Sequence, residues 1–161
     1  MQEYVAGFAF SKDFSRVVLI RKERPAWQKG LLNAVGGHVE QSDSTHDHAM
    51  IREWVEETGT ESPIWHPFAR ISEEGEFSVT FFCAVGDIEG VQTTTDEEVL
   101  VVSVAGLRHC ATIENLPWLI PLALDFIHDK RPVWTEVTYP HRNAESNGSS
   151  VASGGSKEVE G

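Results

Sequence analysis

Three glutamates stand close together in the chain, at Glu53, Glu56 and Glu57. Their spacing of i, i+3 and i+4 places the three carboxylates on one face of a helix. Like charges at this spacing cost roughly 0.2–0.5 kcal/mol per pair. A hard cation such as Mg²⁺ would convert the repulsion into coordination, because it takes oxygen ligands and is commonly shared with substrate phosphates. The pattern favours metal-assisted chemistry on a phosphorylated compound, and the alternative is a solvated acidic helix face.

The helix that must carry these glutamates has recognisable ends. Ser44 is a candidate N-cap, and Gly59 stands where a left-handed C-terminal cap is expected. The Gly36-Gly37 pair before the helix lets the backbone approach a ligand or a metal closely, since no Cβ is in the way. The opposite arc of the helix is predicted to be the buried face. That arc carries Ile51, Trp54, Val55 and Thr58.

The stretch from Gly37 to Gly59 closely resembles the Nudix box, G-x5-E-x7-R-E-U-x-E-E-x-G-U, in which U is a bulky apolar residue. The matching residues are Gly37, Arg52-Glu53-Trp54 and Glu56-Glu57-Thr58-Gly59. Three positions depart from the pattern. Asp43 replaces the first glutamate, eight residues instead of seven separate it from Arg52, and Thr60 replaces the last apolar residue. The departures fall on the loop and leave the metal-binding half intact.

The resemblance implies an α/β fold, the Nudix α/β/α sandwich, with a mixed β-sheet between helices. It also implies hydrolysis of a phosphoanhydride bond in a nucleoside diphosphate linked to a further group. We expect a MutT-like pyrophosphohydrolase whose substrate is a (deoxy)nucleoside triphosphate, in normal or oxidised form, and whose products are the monophosphate and pyrophosphate. The alternatives are an ADP-ribose or dinucleotide pyrophosphatase, and a Nudix-fold protein that binds nucleotides without cleaving them.

Site residues follow from the same resemblance. The expected ligands of Mg²⁺ or Mn²⁺ are Gly37, Glu53, Glu56 and Glu57. Arg52 would orient a neighbouring glutamate, and Glu53 would take part in catalysis. Many members carry one more acidic residue outside the box, for which Glu97 and Glu98 are both candidates and Glu98 is preferred. The alternative for these two is an exposed acidic loop.

A basic and aromatic loop, residues 22–30, stands out in an acidic chain. Arg24 or Lys29 would meet substrate phosphates, and Trp27 would stack on or beside a base. By resemblance, Asn33 on the strand that enters the box is a candidate base or ribose contact. The competing interpretation is a solvated loop with one anchoring tryptophan, and a buried asparagine with its hydrogen bonds satisfied.

Charge and composition narrow the partners. The net charge is −12, and residues 37–61 hold seven acids and one base, which contribute −6 of it. Such a chain should repel a nucleic acid polymer, whose affinity comes largely from Lys and Arg. A small-molecule nucleotide would meet the same repulsion unless a cation bridges it. Homodimerisation, which is common in the family, stays an expectation without residues to support it.

The N-terminus lacks the basic and apolar regions of a signal peptide, and no apolar run approaches the ~20 residues needed to span a membrane. Two isolated cysteines, Cys83 and Cys110, form neither a disulfide framework nor a zinc site. We therefore expect a cytoplasmic protein that binds no membrane. One Nudix hydrolase domain is predicted over residues 1–140, with a disordered Gly/Ser-rich tail over 141–161. Apolar runs predict strands at 4–10, 16–21, 31–35, 63–71, 77–85, 99–102 and 133–139, and a second helix at 116–129.

Overall fold

The structure is a computed structural model that describes residues 1–141. Its strands are β1 (Gln2–Ser11), β2 (Arg16–Arg21), β3 (Leu32–Asn33), β4 (Val35–His38), β5 (His66–Glu73), β6 (Phe77–Gly86), β7 (Glu98–Ser103) and β8 (Thr135–Tyr139). Its helices are α1 (His46–Thr58) and α2 (Leu116–Ile127). Neither helix of this described part has the length and apolarity that a membrane crossing requires. The predicted tail lies outside the described residues, apart from His141.

The eight strands that the described chain forms belong to one mixed sheet, in the order β3-β2-β1-β6-β5-β8. Strand β4 pairs with the first half of β1, whereas β2 pairs with its second half and also carries β7. The β1–β6 and β5–β8 pairs are parallel, and the remaining pairs are antiparallel. Within β4, Gly37 lies opposite Val5 and Gly36 lies opposite Ala6. The glycine pair is thus part of the sheet and not of a loose turn.

Helices α1 and α2 cover opposite faces of this sheet. Successive side chains of a strand point to opposite faces, and β1 shows the alternation. Val5 and Ala9 belong to the apolar cluster that contains Trp54 of α1, while Phe8 and Phe10 belong to the cluster that contains α2. The two-sided burial explains why β1 and β6 read as nearly continuous apolar runs. The predicted α/β/α sandwich with a mixed sheet between helices is confirmed.

The strands predicted over residues 31–35 and 63–71 differ most from the observed ones, and the other predicted elements differ by two residues or fewer at either end. The strand predicted over residues 31–35 is divided at Ala34, because the Asn33 side chain accepts the Ala34 N–H at 2.7 Å and removes it from the sheet. The strand predicted from residue 63 begins only at His66. The pairing of β5 with β6 starts at His66, which lies opposite Cys83. Neither change moves the elements that carry the glutamates.

Helix α1 is rotated relative to the prediction. Trp54 and Thr58 are buried as expected, but Ile51 and Val55 remain 42% and 45% exposed. Glu53, which was placed on the charged face, is only 8% exposed. The rotation is possible because α1 packs against the glycines of β4, which leave room for a carboxylate at the sheet surface. The amphipathic pattern alone was therefore a wrong guide to which face is buried.

The ends of α1 were predicted with one error. Gly59 adopts a left-handed conformation, with φ of 66°, and its N–H bonds to the Val55 carbonyl, as a C-cap requires. The N-cap is Thr45 and not Ser44, since the Thr45 hydroxyl accepts the His48 N–H at 3.1 Å. The Ser44 hydroxyl instead pairs with the His48 ring. Adjacent hydroxyl residues offer equivalent caps, and the sequence does not distinguish between them.

Candidate active site on the glutamate helix

Arg52 lies at the centre of the acidic region. Its guanidinium donates to both carboxylate oxygens of Asp43, at 2.8 and 3.1 Å, and to Oε1 of Glu53 at 2.8 Å. It also reaches Oε2 of Glu56 at 3.2 Å and the His38 carbonyl at 2.8 Å. A planar guanidinium suits this arrangement because its five donors have fixed directions. Arg52 therefore sets the positions of two of the three box glutamates.

Asp43 and Arg52 change each other's proton affinity. The two hydrogen bonds from Arg52 hold the pKa of Asp43 at about 2, below the ordinary value of 3.8. The same contact raises the pKa of Arg52, so the pair stays ionised at neutral pH. Asp43 thus pairs with the arginine at the position where the Nudix pattern has glutamate. The extra residue between them is accommodated without loss of this pair.

Glu53 is the buried member of the cluster. Burial raises its pKa, and the hydrogen bond from Arg52 opposes that rise. A Cβ added to Gly37 would lie 2.5 Å from the carboxylate atoms of Glu53. No side chain fits at that separation, so the glycine is what allows the carboxylate and the β4 backbone to meet. This close approach is the reason for glycine at the start of the box.

Gly36 has a different role from its neighbour. A Cβ at this position would meet the carbonyl oxygen of Val5 at 2.0 Å, within the β1–β4 pair. Backbone atoms of a paired strand cannot move aside as a flexible side chain can. Gly36 therefore preserves the pairing of β4 with β1, while Gly37 preserves the approach of Glu53.

Glu57 is placed by a loop and not by Arg52. The Thr95 hydroxyl donates to its Oε2 at 2.9 Å, and the same hydroxyl oxygen accepts the Glu97 N–H at 3.1 Å. Burial raises the pKa of Glu57, the bond from Thr95 lowers it, and the nearby charge of Glu97 raises it again. The third box glutamate is thus held in a partly desolvated position beside a second acid.

The two acids outside the box have different environments. The Glu97 side chain is 8% exposed and accepts from Lys22 Nζ at 2.9 Å and from the Glu23 N–H at 3.1 Å. The Glu98 side chain is 58% exposed, and its carboxylate lies 3.9 Å from Arg21 Nε. The sequence preferred Glu98, whereas the structure brings Glu97 to the Glu57 side of the site. Thr95 and Lys22 were not singled out, and a run of threonines in a polar loop carries no signal that identifies such contacts.

The predicted substrate-binding residues lie around one exposed loop. Arg24 forms two hydrogen bonds to Asp96, at 2.9 and 3.1 Å. Lys29 Nζ lies 3.8 Å from a carboxylate oxygen of Glu23. Trp27 is 69% exposed, so its ring is available to a ligand. Both predicted phosphate contacts are therefore paired with acids in the structure.

Asn33 lies beside this loop with its side chain engaged. Its Nδ2 donates to Gln28 Oε1 at 3.1 Å, and its Oδ1 accepts the Ala34 N–H at 2.7 Å. The arrangement corresponds to the interpretation of a satisfied asparagine. A base or ribose contact would require the bond to Gln28 to be exchanged for one to the ligand.

The donor set fits a hard divalent cation. The groups on this side of α1 are carboxylates, which are oxygen ligands of the kind that Mg²⁺ and Mn²⁺ prefer. Gly37 forms a cradle at the Glu53 carboxylate that a Cβ would fill. Over residues 1–141, however, no three acidic, His or Cys side chains already converge in a metal-holding geometry. Glu53 and Glu56 turn to Arg52, and Glu57 turns to Thr95.

Comparison with known proteins adds independent evidence. The family model of the NUDIX domain matches residues 2–121. A MutT structure from a study of the Aliivibrio salmonicida and Vibrio cholerae proteins has a TM-score of 0.63 at 21% identity, covering 76% of this chain and 95% of that one. A NUDIX hydrolase from Nitrosomonas europaea has a TM-score of 0.70 at 14% identity, covering 86% and 78%.

A third similar structure is the NUDIX domain of Shewanella oneidensis NrtR complexed with ADP ribose. Its TM-score is 0.67 at 16% identity, with coverage of 76% of this chain and 86% of that one. No curated protein sequence matches the chain. Identities this low support the fold alone. The family model matches most of the described residues and supports membership of the family. The protein therefore belongs to the Nudix family, and the sequence-based prediction of a Nudix pyrophosphohydrolase is confirmed.

Proposed function

We propose that the protein is a Mg²⁺- or Mn²⁺-dependent hydrolase of a (deoxy)nucleoside triphosphate, in normal or oxidised form. Water would add to one phosphorus, the anhydride P–O bond would break, and the products would be the monophosphate and pyrophosphate. The observation that carries the proposal is the meeting of Gly37 with the buried Glu53 carboxylate, next to Glu56 and Glu57 on the same helix. An acidic helix without a ligand would have no need of that close approach.

We assign the cation ligands to Gly37, Glu53, Glu56 and Glu57. A bound divalent cation supplies charge neutralisation of the phosphate oxygens and acidification of the attacking water. Each carboxylate has its own environment, since Arg52 orients Glu53 and Glu56, and Thr95 contacts Glu57. Preorganised charge of this kind provides most of the acceleration in phosphoryl transfer.

Arg52 has a positioning role in this scheme. Its charge lies within the carboxylate cluster, yet a guanidinium cannot ligate a cation, because it has donors and no acceptor. It lowers the repulsion among Asp43, Glu53 and Glu56 and fixes the direction of Glu53.

Glu97, and not Glu98, fits the role of the acid outside the box. Its charge acts on Glu57, whereas Glu98 projects to solvent beside Arg21. Lys22 neutralises Glu97 and keeps it within the loop. Substrate phosphates would compete for Lys22, which would release one carboxylate oxygen of Glu97 to accept a proton from water.

The substrate would lie between the box and the exposed loop of residues 22–30. The exposed Trp27 would stack on the base, and Arg24 and Lys29 would bind the phosphates after releasing Asp96 and Glu23. Asn33 would contact the base or ribose after exchanging its bond to Gln28. Net acidity elsewhere in the chain disfavours a nucleic acid polymer as substrate.

ADP-ribose is a second candidate because one similar structure is a NUDIX domain complexed with ADP ribose. Its adenine could use the same exposed tryptophan, so the loop does not separate the two substrates. A protein that binds nucleotides without cleaving them is a third candidate. The intact set of Glu53, Glu56 and Glu57 weighs against it, because Nudix-fold proteins that bind nucleotides without cleaving them have usually lost box glutamates.

The experiment is a turnover assay on dNTPs, 8-oxo-dGTP, ADP-ribose, NADH and diadenosine polyphosphates, with Mg²⁺ or with EDTA. We expect pyrophosphate release from a triphosphate that EDTA abolishes and that Glu56→Gln and Glu57→Gln each lower by at least about a hundredfold. A matched control is Glu61→Gln, which removes an acid just beyond the box. Tight nucleotide binding with no turnover of any compound would favour the binding-protein alternative.

A further inference from the structure

The loop of residues 94–97, which we call the clasp loop, contacts both α1 and the loop of residues 22–30, which we call the substrate loop. Each of its four consecutive side chains makes a contact across the site. Two reach α1, since Thr94 donates to the Glu56 carbonyl and Thr95 donates to the Glu57 carboxylate. Two reach the substrate loop, since Asp96 accepts from Arg24 and Glu97 accepts from Lys22. The clasp loop is therefore anchored on both sides of the site.

The neighbours of the Thr95 hydroxyl determine where it donates and where it accepts a hydrogen bond. The hydroxyl oxygen accepts the Glu97 N–H at 3.1 Å, so a lone pair is engaged there. The hydroxyl proton then points to Oε2 of Glu57, 2.9 Å away. A bond of this type favours the ionised carboxylate, because a carboxylate only accepts. Within residues 1–141, Thr95 is the one donor in hydrogen-bond range of that carboxylate.

We propose that Thr95 is a positioning residue for Glu57, performing for this glutamate what Arg52 performs for Glu53 and Glu56. The proposal rests on the proposed function, in which Glu57 is a cation ligand. A neutral hydroxyl directs the carboxylate without cancelling its charge. Glu57 therefore keeps its full attraction for a cation while its side chain loses rotational freedom before binding.

Binding of Mn²⁺, followed by the EPR signal of the unbound ion, tests the proposal without turnover. Thr95→Val has the same shape but no hydroxyl, and we expect about tenfold weaker Mn²⁺ binding. Thr95→Ser keeps the hydroxyl and should bind within about twofold of the wild type. Thr94→Val is the matched control, because it removes a neighbouring contact to the Glu56 backbone and leaves every carboxylate contact in place.

Thermal unfolding of the metal-free variants and steady-state kinetics complete the test. Thr95→Val should raise the Mn²⁺ concentration for half-maximal rate about tenfold, with kcat at saturating Mn²⁺ within about threefold of the wild type. Equal weakening by Thr94→Val and Thr95→Val would assign the effect to loop docking and overturn the proposal. So would wild-type affinity in Thr95→Val when Glu57→Gln binds Mn²⁺ weakly. If Glu57→Gln itself binds like the wild type, the proposed function fails instead.

Discussion

The box and the substrate loop are both rich in charge, yet different interactions hold them in place. In the box, Arg52 and Asp43 form a two-bond pair whose side chains are 21% and 6% exposed. Arg24 of the substrate loop forms a similar two-bond pair with Asp96 of the clasp loop, but the side chains of this pair are 72% and 55% exposed. Water screens the second pair more strongly than the first, so equal geometry does not imply equal energy.

This difference suits the two tasks proposed for the box and the loop. Ligands of a cation must hold their positions before binding, since disorder at that point costs affinity. A loop that recognises a nucleotide must release its own ion pairs when phosphates arrive, and exposed pairs cost little to break. We therefore expect substitutions in the box to affect stability and chemistry together, and substitutions of the exposed loop residues Arg24, Trp27 and Lys29 to affect substrate recognition alone.

The largest effect on stability is expected from Arg52→Ala. The substitution leaves Asp43 and Glu53 facing each other without a counter-charge in a partly buried site. The unfolding free energy should fall by about 3 kcal/mol, and Tm by roughly 6–12 °C. Arg52→Lys should recover part of the loss, because a lysine keeps the charge but cannot form the two-bond pair. If the metal-free Arg52→Ala protein is as stable as the wild type, the ion pairs of the box contribute no more to stability than those of the loop, and the comparison fails.

The next effect distinguishes the role of Gly37 from that of Gly36. Gly37→Ala places a methyl group where the Glu53 carboxylate lies, so that side chain must turn away. We expect a folded protein with Mn²⁺ binding weakened by about ten- to a hundredfold. Gly36→Ala pushes against the Val5 carbonyl instead and should lower Tm and folded yield. Circular dichroism and Mn²⁺ titration of both variants check this, and unchanged cation binding in Gly37→Ala would contradict the assignment of the cradle.

Asp43→Asn tests the buried pair through pH. The folded-state pKa of Asp43 is about 2, below the ordinary 3.8, so its ionised form stabilises the fold above pH 3.8. That stabilisation is lost as the pH falls from 3.8 to 2. The Tm of the wild type should exceed that of Asp43→Asn at neutral pH, and the two should converge near pH 2. Asp96→Asn is the control, because it removes the acid of the exposed Arg24 pair. We expect its Tm to differ little from that of the wild type.

Sequence reasoning succeeded where one local pattern determines the outcome. The Gly59 cap and the contacts of Arg52 with Glu53 and Glu56 were identified because spacing along a single helix decides which side chains meet. It failed on Ile51 and Val55, which the helical pattern assigned to the core. The glycines of β4, and not the apolar arc, decide how α1 is rotated, and that information lies in a different element.

Contacts between distant loops were harder still to predict. Thr95 and Glu57 are 38 residues apart in the chain, and Glu97 and Lys22 are 75 apart. Nothing local distinguishes Glu97 from its neighbour Glu98, although one is buried and the other exposed. The distinction arises where β7 begins, because Glu98 enters the sheet opposite Arg21 and leaves Glu97 facing Lys22.

The smallest effect on stability is expected from Trp27→Ala. The ring is 69% exposed and has little buried surface to lose, so Tm should change by less than about 2 °C. Stacking on a base contributes about 1–3 kcal/mol, which corresponds to a roughly five- to 150-fold rise in KM with kcat nearly unchanged. Trp27→Phe should retain part of the affinity, because it keeps an aromatic face. Steady-state kinetics on the best substrate decide the matter. If Trp27→Ala lowers kcat and leaves KM unaltered, the loop shares in the chemistry and its separation from the box no longer holds.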